Sequence, residues 1–196
     1  MRKTVKRLIC LCLAIGMMFS TVGLSASAYN LNPDGIYISN KLIFVMDSTF
    51  SDTSKLHMSL GLSQWNYAAG KSLTEVSSGV HYGYTTYPNP DGNSYVYKDD
   101  AGTLYVGETY IRTNSSSHII FECDININTH YEFANSAQKG KYDTYSVLLH
   151  ESGHVIGLKH SEYSSAVMWK ALGTGITKRD LTTDDKNGAK AIYGNK

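Results

Sequence analysis

Residues 150–160 read His-Glu-Ser-Gly-His-Val-Ile-Gly-Leu-Lys-His, so three histidines and one glutamate stand at fixed intervals in a short stretch. In a helix over residues 143–156, His150 and His154 are separated by roughly 6 Å of rise and project from the same face. Glu151 is rotated by about 100° from His150. We therefore expect its carboxylate to reach a water molecule on a metal ion bound there, and not the ion itself.

The residues after this helix provide a third nitrogen ligand. Gly157 can adopt a positive φ and end the helix, so that the chain turns back and presents His160. The alternative third ligand, Glu162, follows too closely for a separate helix to present it. Three neutral imidazoles leave one tetrahedral position open, which is typical of catalytic and not of structural zinc. The predicted ligands of one catalytic zinc ion (Zn2+) are His150, His154 and His160, with Glu151 as general base.

This spacing is specific. Five fixed positions of this kind arise by chance in roughly one in 10⁵ chains of this length. That rarity disfavours the competing interpretation, which is a buried helix with incidental histidines.

The N-terminus has the pattern of a secretory signal peptide. Residues 1–7 carry four positive charges and no negative charge, residues 8–19 are apolar, and the segment ends in Ala26-Ser27-Ala28. We expect cleavage after Ala28. The apolar run is shorter than the roughly 20 residues of a membrane-spanning helix, which disfavours an uncleaved anchor. The sequence therefore predicts a secreted, extracellular protein.

Composition limits the partners of the mature chain, residues 29–196. The whole chain has 18 basic and 17 acidic residues. Removing residues 1–28 takes four basic and no acidic residues, which leaves a net charge of −3. This balance gives no footprint for nucleic acid and no polybasic attraction to a membrane. Only Cys123 remains of three cysteines, so no intrachain disulfide can form. We expect a monomer with one domain.

Hydrophobic patterning predicts an α+β fold. The first helix starts at Ser51 or Asp52 and ends before Gly70, the second starts at Asp143 or Thr144, and the last starts near Thr182 or Thr183. The predicted packed face of the first helix comprises Leu56, Leu60, Leu62, Trp65 and Ala68. The predicted strands are residues 41–46, 73–76, 80–87, 103–112 and 118–128.

The turn at residues 88–93 and its neighbours carry side-chain oxygens, namely those of Asp91, Asn93, Asp99 and Asp100. These residues lack a recognisable calcium-ligand spacing. A calcium ion (Ca2+) is therefore possible but unsupported, and we prefer a solvated turn.

Three stretches resemble one family. They are the zinc stretch 150–160 followed by Ser161, the downstream Met168, and the tail 181–194, Leu-Thr-Thr-Asp-Asp-Lys-Asn-Gly-Ala-Lys-Ala-Ile-Tyr-Gly. In them the chain resembles metzincin zinc metallopeptidases, most closely bacterial matrixin-like catalytic domains. The resemblance implies a zincin fold, with a twisted, mostly parallel five-stranded sheet, an antiparallel edge strand, two long helices and a C-terminal helix.

The resemblance also implies a zinc-dependent endopeptidase that acts on proteins or peptides. Met168 would form the apolar floor of the site in a Met-turn, and residues 103–112 would be the edge strand that pairs with substrate. The residues predicted to line the substrate pocket are Ser146, Trp169, Leu172 and Ile176.

Three features depart from relatives. We find no zinc-blocking cysteine motif between Ala28 and the domain, and no His-x-Asp spacing for a second zinc ion. Lys170 stands where some metzincins have a metal-binding tyrosine. We therefore expect neither a cysteine switch nor a tyrosine ligand.

A different class of function competes with this one. The chain has 15 tyrosines, many of them in the β-rich region. The competing hypothesis is a secreted zinc-binding adhesin or glycan-binding protein without turnover. Such a protein would use the tyrosines as a stacking surface. Such a protein has no need of Glu151. A third hypothesis, cleavage of cell-wall peptides, uses the same site with a different pocket.

Overall fold

The computed structural model of the protein describes residues 28–81 and 87–194. The predicted signal segment up to residue 27 lies outside the described residues, as do residues 82–86 of the predicted strand 80–87. No helix in the described part of the chain combines the length and the apolar character that crossing a bilayer requires. The helices are α1 Asp52–Ala69, α2 Thr144–Val155 and α3 Thr183–Tyr193. The strands are β1 Asn30–Leu31, β2 Tyr37–Ile38, β3 Leu42–Asp47, β4 Thr74–His81, β5 Ser94–Asp99, β6 Gly107–Thr113, β7 Ile119–Asn128, β8 Phe133–Ala134, β9 Tyr142–Asp143 and β10 Leu158–Lys159.

The main sheet is mostly parallel, as predicted. Strands β4, β3, β5 and β7 are neighbours in that order and run parallel, and the short β2 also pairs in parallel with β7. Strand β6 pairs with β7 in the antiparallel direction. The sheet has six strands where five were predicted, because the two residues of β2 pair with the start of β7.

Strand β5 was missed by the prediction, which ended its turn at residue 93 and assigned no strand before residue 103. The strand reads Ser-Tyr-Val-Tyr-Lys-Asp and has Val96 as its one aliphatic residue. It nevertheless lies between β3 and β7, where Val96 is fully buried. Pairing on both edges, and not a run of apolar residues, makes this segment a strand.

Strand β4 also differs from the prediction. Residues 73–76 and 80–87 were predicted as separate strands, yet residues Thr74–His81 form one. The intervening Ser77-Ser78-Gly79 stays extended beside β3, and the register shifts there between Phe44 and Met46. The polar break in the sequence is therefore a local irregularity and not a turn.

The packed face of α1 was assigned partly wrongly. The helix is capped by Ser51, whose side chain accepts a hydrogen bond from the amide of Ser54, and it ends at Gly70. Leu62, Trp65 and Ala68 are buried as predicted, but Leu56 and Leu60 are 56% and 43% exposed. Met58 is fully buried in their place. It is two residues, about 200° of helix rotation, away from each of them. The helix thus has two apolar stripes, and the stripe with Trp65 faces the core.

Helices α1 and α2 pack against each other behind the sheet. Trp65 is fully buried, and its indole N–H donates to the carbonyl of Leu149 at 2.8 Å. This bond satisfies the polar atom of a large buried side chain and connects the two helices. The predicted α+β arrangement of two long helices and a C-terminal helix is confirmed.

Asp143 and Arg179 connect the start of α2 to the segment before α3. Asp143 is 1% exposed, caps α2 by accepting from the amide of Ser146, and accepts two hydrogen bonds from the guanidinium of Arg179. Burial alone raises the pKa of Asp143, but the bonds from Arg179 and Ser146 outweigh it and hold this pKa below its usual value.

This pKa predicts a pH dependence of stability. A carboxyl with a lowered folded-state pKa stabilises the protein above its unfolded pKa, and the contribution is lost as the pH falls through the folded pKa. We compare the metal-free wild type with metal-free Asp143→Asn. As the pH falls from about 5 to about 2, the wild type is expected to lose about 1 kcal/mol more free energy of unfolding than the variant. The figure is modest because Arg179 is partly solvated. Urea unfolding of both proteins measures the difference. Parallel pH profiles would contradict the role of the pair.

Candidate active site

The turn after α2 brings the third histidine back to the helix. Helix α2 presents His150 and His154, and the chain then passes through Gly157, whose φ is 98°. A side chain there would also lie 2.8 Å from the carbonyl of Ile36. The chain continues into β10, which pairs with β1 and is followed by His160. Gly157 therefore permits the reversal, and the pairing of β10 with β1 holds the returning chain.

The three predicted ligands converge. One ligand atom from each of His150, His154 and His160 lies within 4.8 Å of the others. The ring centroids are 4.9 to 5.3 Å apart. His150 and His154 are half-buried and His160 is exposed, so the cluster lies at the surface of a cleft. Within the described residues, no other group of three or more histidine, cysteine or carboxylate side chains has this geometry.

Hydrogen bonds orient two of the rings. His150 Nδ1 lies 2.8 Å from the carbonyl of Val167, and His154 Nδ1 lies 2.8 Å from the carbonyl of Leu158. A carbonyl only accepts, so both Nδ1 atoms carry the proton and both Nε2 atoms are free to bind a metal.

The electrostatics of the rings also suit a metal ion. Burial is the main cause that lowers the pKa of His150 and of His154 to about 4. Burial also lowers the pKa of His160, and the nearby Lys170 lowers it further. Neutral imidazoles are the form that binds metal. Three neutral nitrogen donors fit zinc, whereas calcium and magnesium require oxygen donors.

The segment around Met168 is held by α3. Met168 is 1% exposed and packs against α2 at Gly153, where an added Cβ would lie 2.2 Å from its sulfur. Asp185 accepts hydrogen bonds from the amides of Val167 and Met168 at 2.9 and 3.0 Å. The same carboxylate completes a capping box with Thr182. Asp185 therefore positions the carbonyl of Val167 that orients His150, a role that its place in a helix N-terminus did not indicate.

Glu151 lies beside the histidines with its side chain buried. It is 4% exposed, and the hydroxyl of Thr109 on β6 lies 2.7 Å from its Oε2. Burial raises the pKa of Glu151, while His154 and the bond from Thr109 oppose the rise. A buried carboxylate with a raised pKa is a better proton acceptor than a solvated one. Sequence reasoning did not identify Thr109, because it is 42 residues away along the chain.

The histidines and Glu151 line a cavity of about 740 Å³. Its other walls include residues 103–109 and three of the four predicted pocket residues, Ser146, Trp169 and Leu172. The fourth, Ile176, is not among the lining residues and is 52% exposed. The amide of Ile176 bonds back to the carbonyl of Gly173, so the chain turns there and leaves the side chain in solvent.

Two side chains at this cavity are fixed by local bonds. The hydroxyl of Ser146 donates to Asp143 Oδ2 and accepts from the amide of Lys178, both at 2.7 Å. The ammonium of Lys178 donates to the carbonyls of Ser164 and Ala166. The wall formed by these residues is therefore polar but internally satisfied.

Three of the four side chains considered as calcium ligands accept hydrogen bonds from nearby groups of the protein. Asp91 accepts from the amide of Asn93, from the side chain of Asn89 and from the hydroxyl of Tyr95. Asp99 accepts a hydrogen bond from the amide of Asp100, and Asp100 accepts one from the amide of Gly102. These contacts describe a turn that satisfies its own amides.

The tyrosines of the sheet contact one another. The ring of Tyr95 lies 5.4 Å from that of Tyr97 and 4.9 Å from that of His81, and Tyr87 meets Tyr97 edge to face. Tyr97 is only 5% exposed. Ring packing within the protein therefore explains this cluster better than a stacking surface for sugars.

Comparisons with known proteins agree with this geometry. The chain is 44% identical over 52 residues to Metalloendoproteinase 2-MMP and 48% identical over 52 residues to Metalloendoproteinase 1-MMP, both of Arabidopsis thaliana; each match covers 26% of this chain and 14% of the relative. It is 25% identical over 153 residues to Metalloendoproteinase 1 of Glycine max, and this match covers 77% of this chain and 49% of the relative. The chain thus matches less than half the length of each of these relatives. A family model described as Matrixin matches residues 53–194. Because that match extends from the first turn of α1 to the end of α3, the chain belongs to the matrixin family.

Proposed function

We propose that the protein is a zinc-dependent endopeptidase that hydrolyses peptide bonds in proteins or peptides. One observation carries the proposal: three neutral imidazoles converge within 4.8 Å beside a buried carboxylate in an open cavity. His150, His154 and His160 would hold the metal. Family membership and relatives named as metalloendoproteinases support the same activity.

The reaction follows from the side chains. Bound by the three histidines, zinc supplies Lewis acidity that lowers the pKa of water to about 7 and polarises a carbonyl. Glu151 accepts a proton from the attacking water molecule and later donates it to the leaving amine. The hydrogen bonds that His150 and His154 donate to the carbonyls of Val167 and Leu158 keep both rings in one tautomer throughout.

Substrate binding is proposed along β6. Among the described residues this strand pairs only with β7, and the segment before it borders the cavity. An extended peptide that adds to a strand edge gains main-chain hydrogen bonds, and pockets for its side chains give selectivity. Ser146, Trp169 and Leu172 are the proposed walls of the selectivity pocket.

We also propose that the protein is secreted and is cleaved after Ala28. The amide nitrogens of Ala28 and Tyr29 each lie 3.0 Å from Asp184 Oδ1, and Asp184 is buried. Cleavage would remove the first contact, make the Tyr29 nitrogen an ammonium group and make its contact a charge-assisted bond. Expression in a secreting bacterial host, followed by mass measurement of the protein in the medium, tests this. A mature chain that starts at Tyr29 is expected, and an uncut chain retained in the cells would refute it.

A hydrolysis assay tests the proposed activity. Residues 29–196 are incubated with casein and with cell-wall peptides, with a zinc chelator, and with chelator followed by zinc. We expect cleavage of casein that the chelator abolishes and zinc restores. Zinc binding without cleavage of any substrate would favour the adhesin instead, and cleavage of cell-wall peptides alone would redirect the substrate class.

A further inference from the structure

Strand β6 touches Glu151 at two positions. The hydroxyl of Thr109 lies 2.7 Å from Oε2 and 3.1 Å from the main-chain carbonyl of the same residue. Two residues earlier, a Cβ added to Gly107 would lie 2.8 Å from Oε1 and 2.9 Å from Val147. The carboxylate is therefore held between α2 and the edge strand, with a hydroxyl donor at one oxygen and a bare backbone at the other.

The two contacts restrict the carboxylate in complementary ways. Among the described residues, Thr109 is the one side chain that donates a hydrogen bond to it. A buried carboxylate without a donor is unfavourable, and a hydrogen bond to a charged group is stronger than one between neutral groups. Gly107 leaves the space in which Oε1 lies, and any larger residue there would displace it.

We propose that Thr109 is a positioning residue for Glu151. The inference rests on the proposed function, in which Glu151 moves the proton. By fixing Oε2, the hydroxyl orients the carboxylate plane and leaves Oε1 as the proton acceptor. A general base contributes only when it is within hydrogen-bond reach of the proton it removes, so a loose Glu151 slows the chemical step. The same strand is proposed to bind substrate, which places the base and the peptide on one rigid support.

A purely structural role for Thr109 is the competing explanation. In that case its hydroxyl serves the main-chain carbonyl of Glu151 at 3.1 Å and stabilises the contact of α2 with β6. Loss of the hydroxyl would then change stability and not the rate of a folded, zinc-loaded enzyme. The two roles therefore predict different kinetics.

Isosteric substitutions separate the roles. Thr109→Val removes only the donor, Thr109→Ser restores it, and Thr53→Val is the matched control at an exposed position of α1 away from the cavity. At equal zinc content, we expect Thr109→Val to lower kcat by about 10- to 100-fold with KM within about twofold of wild type. Thr109→Ser is expected to recover kcat to within about threefold of wild type, and Thr53→Val is expected to have the wild-type kcat. An unchanged kcat in Thr109→Val, or no recovery in Thr109→Ser, would overturn the proposal.

A second readout does not require activity. In the metal-free protein, Thr109→Val is expected to lower the unfolding midpoint in the wild-type background and to lower it by less in a Glu151→Ala background, where only the main-chain carbonyl of residue 151 remains as an acceptor. Equal shifts in both backgrounds would show that the hydroxyl does not interact with the carboxylate, and would refute the inference. If the wild-type protein proved inactive while the coupling persisted, the proposed function would fail and the contact would stand.

Discussion

Replacing Glu151 with glutamine is expected to lower peptide hydrolysis by about 10²- to 10⁴-fold while leaving zinc bound. The amide has nearly the shape of the carboxylate, but it cannot accept the proton of the attacking water molecule. The three histidines are unchanged, and the bonds that orient two of them, donated to the carbonyls of Val167 and Leu158, do not involve Glu151. Zinc content by elemental analysis and initial rates on a casein-derived peptide measure the two effects separately.

The matched control is Glu75→Gln. Glu75 is an exposed carboxylate on β4, at the opposite edge of the sheet from β6, so the substitution makes the same chemical change away from the cavity. We expect this variant to hydrolyse the peptide at close to the wild-type rate. If the zinc-loaded Glu151→Gln protein cleaved as fast as the control, Glu151 would not be the base.

The metal cluster was predictable because its geometry is local. A spacing of four residues on a helix is set by the helical repeat, so His150 and His154 share a face wherever that helix is packed. His160 was harder to place, yet Gly157 indicated a reversal, and its φ of 98° provides it. All three rings belong to eleven consecutive residues, so local spacing is enough to predict the ligand set.

The residues that support the cluster were not predictable in the same way. Thr109 reaches Glu151 across 42 residues, and Asp185 reaches Val167 and Met168 across 18 and 17 residues. Each contact depends on how β6, α2 and α3 pack, which no local spacing encodes. Asp185 lies in the first turn of α3, where the helix dipole favours a carboxylate, but the dipole explains only part of its position.

The same distinction between local and long-range contacts explains which parts of the fold were predictable. The helix starts at Ser51, Asp143 and Thr182 followed from local hydrogen bonding between a polar side chain and nearby amides. Strand β5 and the buried face of α1 could not be predicted from local sequence. The first depends on pairing with two distant strands, and the second on which of two apolar stripes, that of Leu56 or that of Trp65, meets the core.

The second large effect is expected from His160→Ala. This residue is the one proposed ligand outside α2, and it is exposed, so its loss should leave the helix and the fold intact. Two imidazoles from one helix cannot complete the three-ligand site of a catalytic zinc ion. Loss of residues that merely orient ligands weakens metal binding by about 10- to 100-fold, so we expect removal of a ligand to weaken it by more than about 100-fold, with hydrolysis lost at limiting zinc.

Two controls make this result specific. His130→Ala removes an exposed histidine far along the chain, and Glu162→Gln removes the carboxylate that competed with His160 as third ligand. Glu162 is exposed, and its Oε1 lies 3.4 Å from the side-chain amide of Asn30, so it already has a partner outside the cluster. We expect both variants to bind zinc and hydrolyse peptide like the wild type. Zinc titration with a competing chelator measures the affinities. If Glu162→Gln lost zinc and His160→Ala retained it, the metal would be held by two histidines and a carboxylate, and the proposed ligand set would be wrong.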